Sequence, residues 1–324
     1  MNAQAIRITA PGGPEVMVLQ TVDVPAPGPG QVLVRHHAIG VNYIDTYHRS
    51  GLYPLPLPMG CGTEGAGVVE AVGPDVTWKV GDRVAYAGGE PGSYAEARLF
   101  PAARLVAIPN GVTDEMAAAS MLKGMTTEYL LDRCVHLKAG DHALMYAAAG
   151  GVGLFAGQWA KHRGINLIGV AAGAEKCALA RRFGYAHVID RTKEDIVARV
   201  REITGGAMLP VVFDGVGKAT FTTTFDCLAP RGMFVSFGSS TGTVPPVEAG
   251  ELARRGSLYF TRPSLFNYVT TTAELQESAG KLFGLIASGA VVPQIGHRYK
   301  LSEAVQVHQD LEAGRTSGSI VMGV

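Results

Sequence analysis

Residues 142–164 read HALMYAAAGGVGLFAGQWAKHRG: a short apolar run, a glycine-rich turn, then a helical pattern. The run HALMYAA predicts a strand and the stretch after GGVG predicts a helix. A chain that turns here lets phosphate oxygens approach its backbone. Amides opening the helix supply donors and the positive end of the helix dipole. Gly150, Gly151, Val152 and Gly153 are therefore candidate pyrophosphate contacts. Ala148 takes the place of the first glycine in GxGxxG, which alanine fills if its φ stays negative. A tight turn without a ligand would use the same residues, so the flanking pattern decides between the two.

That pattern continues the alternation. NLIGVAA (166–172), HVIDR (187–191), PVVFDGV (210–216) and GMFVSFG (232–238) read as strands. EKCALARRFG (175–184), KEDIVARVREITGG (193–206) and KATFTTTFDCL (218–228) read as the helices between them. Apolar strands joined by helices of this length imply right-handed crossovers and a parallel, doubly wound sheet. SLYFTRPSL (257–265) looks like one more strand. Before the alternation, DEMAAASMLKGMTTEYLLDRC (114–134) has helical period throughout. The first third differs. MNAQAIRITA, QVLVRHHAIGVN, GAGVVEAVG, DRVAYAGG and ARLVAIP are short strands with Gly and Pro between them, which suggests a compact barrel-like β domain.

The end of the second strand bears on the cofactor. NAD sites put an acid there for the ribose diol. Here the strand ends in Ala171, Ala172 and Gly173, with Lys176 following and Arg191 ending the third strand. Either cation alone would pass as surface charge. Together, with no acid at the tip, they suit an adenosine 2′-phosphate and favour NADPH. Glu175 is the contrary sign, though its position suits the first turn of a helix.

Composition bounds the alternatives. The 324 residues carry 28 basic and 28 acidic side chains, so a nucleic-acid partner and an acidic membrane surface are not expected. Cys61, Cys134, Cys177 and Cys227 form no CxxC pair, the first residues lack a signal-peptide layout, and no apolar run spans a bilayer. A reducing cytoplasm fits these features. No histidine, cysteine and carboxylate spacing assembles a metal site, and no GxSxG elbow occurs.

The stretch GDHALMYAAAGGVGLFAGQWAK (140–161) resembles the signature region of the quinone oxidoreductase and ζ-crystallin family, in the zinc-free branch of the medium-chain dehydrogenase/reductases. GGPEVM (12–17), GVNYIDTYHRSGLYP (40–54), GTEGAGVVEAVG (62–73), AAASMLKGMTTEYLL (117–131), VSFGSS (235–240) and GSLYFTRPSL (256–265) also read as that family's blocks, so the resemblance covers nearly the whole chain.

The resemblance implies an α/β chain. A GroES-like β-barrel domain (1–124, completed by 264–324) flanks a Rossmann NADPH-binding domain (125–263), with an active site in the cleft between them. It implies Asn42, Tyr47 and Tyr53 as catalytic or substrate-lining residues. Asn42 would hydrogen-bond the nicotinamide ribose or the substrate. Thr126, Phe237, Gly238, Arg262 and Arg315 join Lys176, Arg191 and the glycines as cofactor contacts. Zinc-dependent relatives have a cysteine near the place of Asn42 and a histidine at that of Thr63. Relatives often carry tyrosine at Arg191 and serine at Gly215 or Val216. The implied activity is reduction of a quinone by NADPH without a metal, in a homodimer paired through SLYFTRPSL. Reduction of an α,β-unsaturated carbonyl or enoyl thioester is the alternative. A non-catalytic NADPH-binding or RNA-binding crystallin-like role stands third.

Overall fold

The computed structural model describes residues 1–324, and the chain divides into two compact units. The first comprises Met1–Met125, Val269–Gly289 and Pro293–Val324; the second comprises Thr126–Tyr268 and Ala290–Val292.

The chain runs β1 (Asn2–Ile8), β2 (Val18–Asp23), β3 (Gln31–Val41), α1 (Tyr43–Ser50), β4 (Met59–Gly60), β5 (Glu64–Val72), β6 (Arg83–Ala87), β7 (Ala97–Pro101) and β8 (Val106–Ala107). Helices α2 (Asp114–Ala118) and α3 (Met121–Glu128) follow. The alternating region is β9 (His142–Met145), α4 (Gly151–His162), β10 (Asn166–Ala171), α5 (Ala174–Arg182), β11 (His187–Asp190), α6 (Ile196–Ile203), β12 (Leu209–Asp214), α7 (Phe221–Asp226), β13 (Leu228–Ser236), α8 (Ala249–Arg254) and β14 (Tyr259–Thr261). The tail adds α9 (Thr272–Ala287), β15 (Ile295–Lys300), α10 (Ala304–Glu312) and β16 (Ser319–Gly323).

In the first unit β3 is the organiser. It pairs antiparallel with β5, β7 and β16, and the sheet order is β15-β16-β3-β5-β6-β8. The tail is thus part of the first unit's main sheet. Ile320 and Met322 of β16, with Leu301 and Val307, share a buried cluster with Ile6, Ile8, Ile39 and Val41. Burying those aliphatic side chains joins chain ends that loop entropy alone would keep apart.

In the second unit the sheet is parallel, in the order β11-β10-β9-β12-β13-β14. Strand order reverses between β9 and β12, and at such a switch point loops leave the carboxyl ends of neighbouring strands in opposite directions. Its core includes Leu144, Ile168, Val170, Ile189, Val212, Phe225 and Phe234. The sixth strand, read from SLYFTRPSL, is three residues long and lies at the sheet's edge.

Two readings of the sequence need correction. The stretch 114–134 is not one helix. Thr113 caps α2, accepting from the Met116 amide at 3.1 Å. Ser120 Oγ then donates to the Met116 carbonyl at 2.7 Å, the local side-chain bond that competes with helix continuation. After α3 the chain widens into a π-turn over Tyr129–Arg133, closed by the Cys134 amide on the Tyr129 carbonyl at 2.7 Å. Arg133 pairs with Glu128 five residues back, a spacing that suits this wider turn. The second correction concerns ARLVAIP, where only Val106–Ala107 is strand and Ala102–Arg104 forms a 3-10 turn. No helix of the chain is long and apolar enough to cross a membrane.

Candidate active site

The phosphate loop follows β9. Its left-handed residue is Ala147, at φ 52°, and not one of the three glycines. Gly150 is the N-cap of α4 in an extended conformation, φ −81° and ψ 176°. Gly153 is needed for clearance. A Cβ on Gly153 would stand 2.4 Å from the Ala147 carbonyl oxygen and 2.6 Å from that of Ala148. Ala148 keeps a negative φ and its amide bonds the Val170 carbonyl at 3.0 Å, tying the loop to β10. The first ladder bond of α4 runs from the Leu154 amide to the Gly150 carbonyl at 2.9 Å. The amides of Gly151, Val152 and Gly153 precede it, and such first-turn donors have no acceptor inside a helix. Tyr185, which sequence reasoning missed, braces this turn: its hydroxyl donates to the Gly153 carbonyl at 2.6 Å. This cradle fits a pyrophosphate, because the first-turn amides of α4 have no acceptor within the helix and the N-cap Gly150 has no side chain to cap them.

At the tip of β10 the sequence reading also needs correction. A carboxylate is there, brought by β11. Asp190 Oδ1 accepts from the Gly173 amide at 2.9 Å, the Thr192 amide at 3.1 Å and the Thr192 hydroxyl at 2.7 Å. The Thr192 and Gly173 donors hold its pKa down at about 2. Lys176 lies half-buried in the first turn of α5, and Arg191 is exposed just past β11 with its amide on the Ala171 carbonyl at 3.0 Å. Glu175 is exposed in the same first turn.

Beyond β12, Asp214 is fully buried and organises the next loop. Oδ1 takes the Val216 and Gly217 amides, and Oδ2 takes the Thr220 and Thr224 hydroxyls. Phe237 and Gly238 follow β13. The Phe237 amide bonds the Asp214 carbonyl at 2.9 Å. Gly215 and Gly238 pack so closely that a Cβ on Gly238 would stand 2.5 Å from the Gly215 oxygen. Serine at Gly215 would also press on the Phe237 ring, 2.9 Å from its Cβ position. Thr126 is buried, and Arg262 is exposed beyond β14 with Nη1 on the Pro263 carbonyl.

The first unit holds a buried polar cluster around the N-terminus of α1. Asn42 is the N-cap, and its amide nitrogen Nδ2 donates to Glu64 Oε2 at 2.8 Å. Lys123 Nζ reaches the same oxygen at 3.1 Å, and the Leu122 amide bonds Oε1 at 2.7 Å. A Cβ on Gly40 would fall 2.2 Å from Glu64 Oε2, so only glycine leaves room for this carboxylate. Glu64 and Lys123 are both buried. Removing one partner of such a pair strands the other charge, at a cost of about 3–5 kcal/mol.

A second chain of bonds runs from Asp45. It accepts from the Asn42 backbone amide at 2.9 Å, the Tyr94 hydroxyl at 3.0 Å and the Thr63 hydroxyl at 3.2 Å. Tyr94 also meets His308 Nε2 at 3.0 Å, and His308 Nδ1 meets Arg49 at 3.0 Å. Arg49 can only donate, so Nδ1 is the acceptor and Nε2 carries the proton toward Tyr94. Arg49 ends the chain in a bidentate pair with Glu312, at 2.7 and 3.0 Å. Burial first, then the Arg49 charge, pushes the His308 pKa down to about 3.

Tyr47 is buried and Tyr53 half-buried, with ring centroids 5.2 Å apart edge-to-face; Tyr43 lies 5.6 Å beyond Tyr47. Arg315 stands in the first unit, exposed and bonded through Nε to Asp310 at 2.7 Å. Sequence reasoning missed Asp45, Glu64, Tyr94, Lys123 and His308. Two left a signal: a lysine inside AAASMLKGM and an acid inside GTEGAGVV, each a charge within an otherwise apolar stretch.

Burial raises the Asp45 pKa from 3.8 to about 7 against the pull of its three donors. The folded chain therefore keeps a proton across that window which the unfolded chain has lost, and its stability falls as pH rises. Asp45→Asn removes this dependence. Urea midpoints at about pH 5 and about pH 8 should show the variant gaining on the wild type at the higher pH. A difference that does not change with pH contradicts a titrating Asp45.

Residues 28–110 match the alcohol dehydrogenase GroES-like domain, and residues 151–283 match the family described as zinc-binding dehydrogenase. The zinc of that description finds no ligands here, since no group of three or more His, Cys, Asp or Glu side chains could hold a metal ion. Asn42 and Thr63 stand in the hydrogen-bond network above. The chain is 51% identical over 322 residues to a quinone oxidoreductase of Pseudomonas aeruginosa, covering 99% of each. It is 42% identical to a 2-haloacrylate reductase of a Burkholderia species, covering 96% of each. The crystal structure of Escherichia coli quinone oxidoreductase complexed with NADPH superposes with a TM-score of 0.97 at 44% identity, over 99% of this chain and all of that one. The chain is therefore a member of the quinone oxidoreductase family of medium-chain dehydrogenase/reductases, with a GroES-like domain and a Rossmann domain.

Proposed function

We propose that the chain reduces a quinone at the expense of NADPH. The observation that carries the cofactor choice is the pair of cations, Lys176 and Arg191, placed where β10 and β11 end. Asp190, the acid at that place, has Oδ1 engaged by three donors of the surrounding loops. Lys176 in the first turn of α5 and Arg191 just past β11 suit a 2′-phosphate. The E. coli relative solved with NADPH supports the same choice.

NADPH bound in this cradle would supply the hydride. The chain's own residues bind, orient and exclude water. The amides of Gly151, Val152 and Gly153, opening α4 after Gly150, hold the pyrophosphate. Phe237 and Gly238 meet the nicotinamide, Thr126 contacts a phosphate or ribose of the cofactor, and Arg262 serves the pyrophosphate. Arg315 contributes only by sharing or leaving its Asp310 partner. Asn42, fixed by Glu64, orients the ribose or the acceptor. Tyr47 and Tyr53 offer an aromatic wall for a flat ring.

A simple ketone would require an electrophile for its developing alkoxide. A quinone spreads the incoming charge over a ring that becomes aromatic, which suits a site whose residues supply no metal ligands. The 2-haloacrylate reductase at 42% identity favours a second reading, reduction of an activated carbon–carbon double bond. We also propose a homodimer formed by pairing of the edge strand β14, in a reducing cytoplasm that suits four free cysteines.

NADPH oxidation measured with 1,4-benzoquinone and an acrylate in parallel tests the reading. The quinone should show kcat/KM higher by about tenfold or more, a margin of ~1.4 kcal/mol in transition-state binding. No quinone turnover contradicts it. Light scattering should return twice the chain mass, and a monomer at micromolar concentration would remove the dimer.

A further inference from the structure

We infer that the loop joining α1 to β4 is a subsite for a hydrocarbon substituent on the acceptor. Residues 51–59 read GLYPLPLPM and hold no charged side chain. Four leucines of the whole chain are substantially exposed, and three lie here: Leu52 at 41%, Leu55 at 37% and Leu57 at 42%. Exposed apolar side chains scattered singly need no explanation, but three within six residues do.

The loop is continuous with the proposed ring wall. Tyr53 belongs to it, its amide bonds the Tyr47 carbonyl at 3.1 Å, and its ring meets Tyr47 edge-to-face at 5.2 Å. Leucines therefore flank the tyrosine that would face the ring, Leu52 before it and Leu55 and Leu57 after it. Pro54, Pro56 and Pro58 alternate with Leu55 and Leu57 and fix φ at every second residue. Arg7 braces the far end through the Pro58 carbonyl at 3.3 Å. A loop restrained in this way loses little freedom when an apolar group settles on it.

This inference rests on the quinone reading and deepens it: the acceptor is a ring quinone bearing an alkyl or isoprenoid chain. An acrylate has a carboxylate and no tail, and the uncharged loop offers it nothing.

The test compares kcat/KM, with NADPH as donor, for 2,3-dimethoxy-5-methyl-1,4-benzoquinone and the same ring carrying a decyl chain. Wild type should prefer the decyl compound by ~10-fold or more, what burial of about two methylenes contributes. In Leu55→Ser/Leu57→Ser the preference should fall to about twofold or less. A wild-type ratio near one overturns the inference while leaving the quinone reading intact. Turnover of neither compound removes both. A wild-type preference that persists in the variant overturns the assignment to this loop. So does a change of oligomeric mass in the variant, which would make the leucines a contact between copies. A decyl preference that appears only when neutral phosphatidylcholine vesicles are added would assign them to a lipid surface.

Discussion

The second unit depends on one close approach, the opening turn of α4 against the carbonyls of Ala147 and Ala148. Gly153 has no Cβ, and that absence lets the helix begin within contact distance of the loop. Ala147 accepts a left-handed conformation to make the turn, and Tyr185 braces it by bonding the Gly153 carbonyl. The consequence is electrostatic. A helix N-terminus held against a short loop presents its first amides and its dipole to whatever lies in front of them. The doubly wound sheet supplies the rigid frame that keeps those donors in place.

The first unit uses a different constraint, buried charge. Glu64 and Lys123 fix the Asn42 side chain, and a carboxylate that can only accept forces the amide nitrogen toward itself. The Asp45–Tyr94–His308–Arg49–Glu312 chain ties α1 to α10, so the tail is bound by polar contacts as well as by Ile320 and Met322 in the core. Each polar atom in such a network is expensive to leave unpaired, which favours one arrangement of these elements over others.

Much of the fold was legible because apolar strands and amphipathic helices alternate from His142 onward, and that periodicity is a local property of the chain. The break at Ser120 was not, since a serine in an alanine-rich helix reads as tolerable until its hydroxyl is seen on the Met116 carbonyl. The loop glycines were legible as a set, but their reason was not: the strained residue is Ala147, and Gly153 serves clearance. Asp190 was missed, because a strand tip is shared by neighbouring strands and sequence spacing follows only one of them. Lys123, Glu64, Asp45 and His308 come from four distant segments. Their meeting is a tertiary fact, and only the misplaced charges of Lys123 and Glu64 hinted at it.

The central claim is that the basic side chains beyond β10 and β11 read a 2′-phosphate while the α4 cradle holds the pyrophosphate common to both nicotinamide cofactors. Calorimetric titration of NADPH and NADH into wild type and Lys176→Ala tests it most directly. The account predicts that the variant loses NADPH affinity by about tenfold or more, the worth of one charge-assisted contact of ~1.5–3 kcal/mol, with NADH binding nearly unchanged. Equal losses for the two cofactors, or none for either, would contradict it.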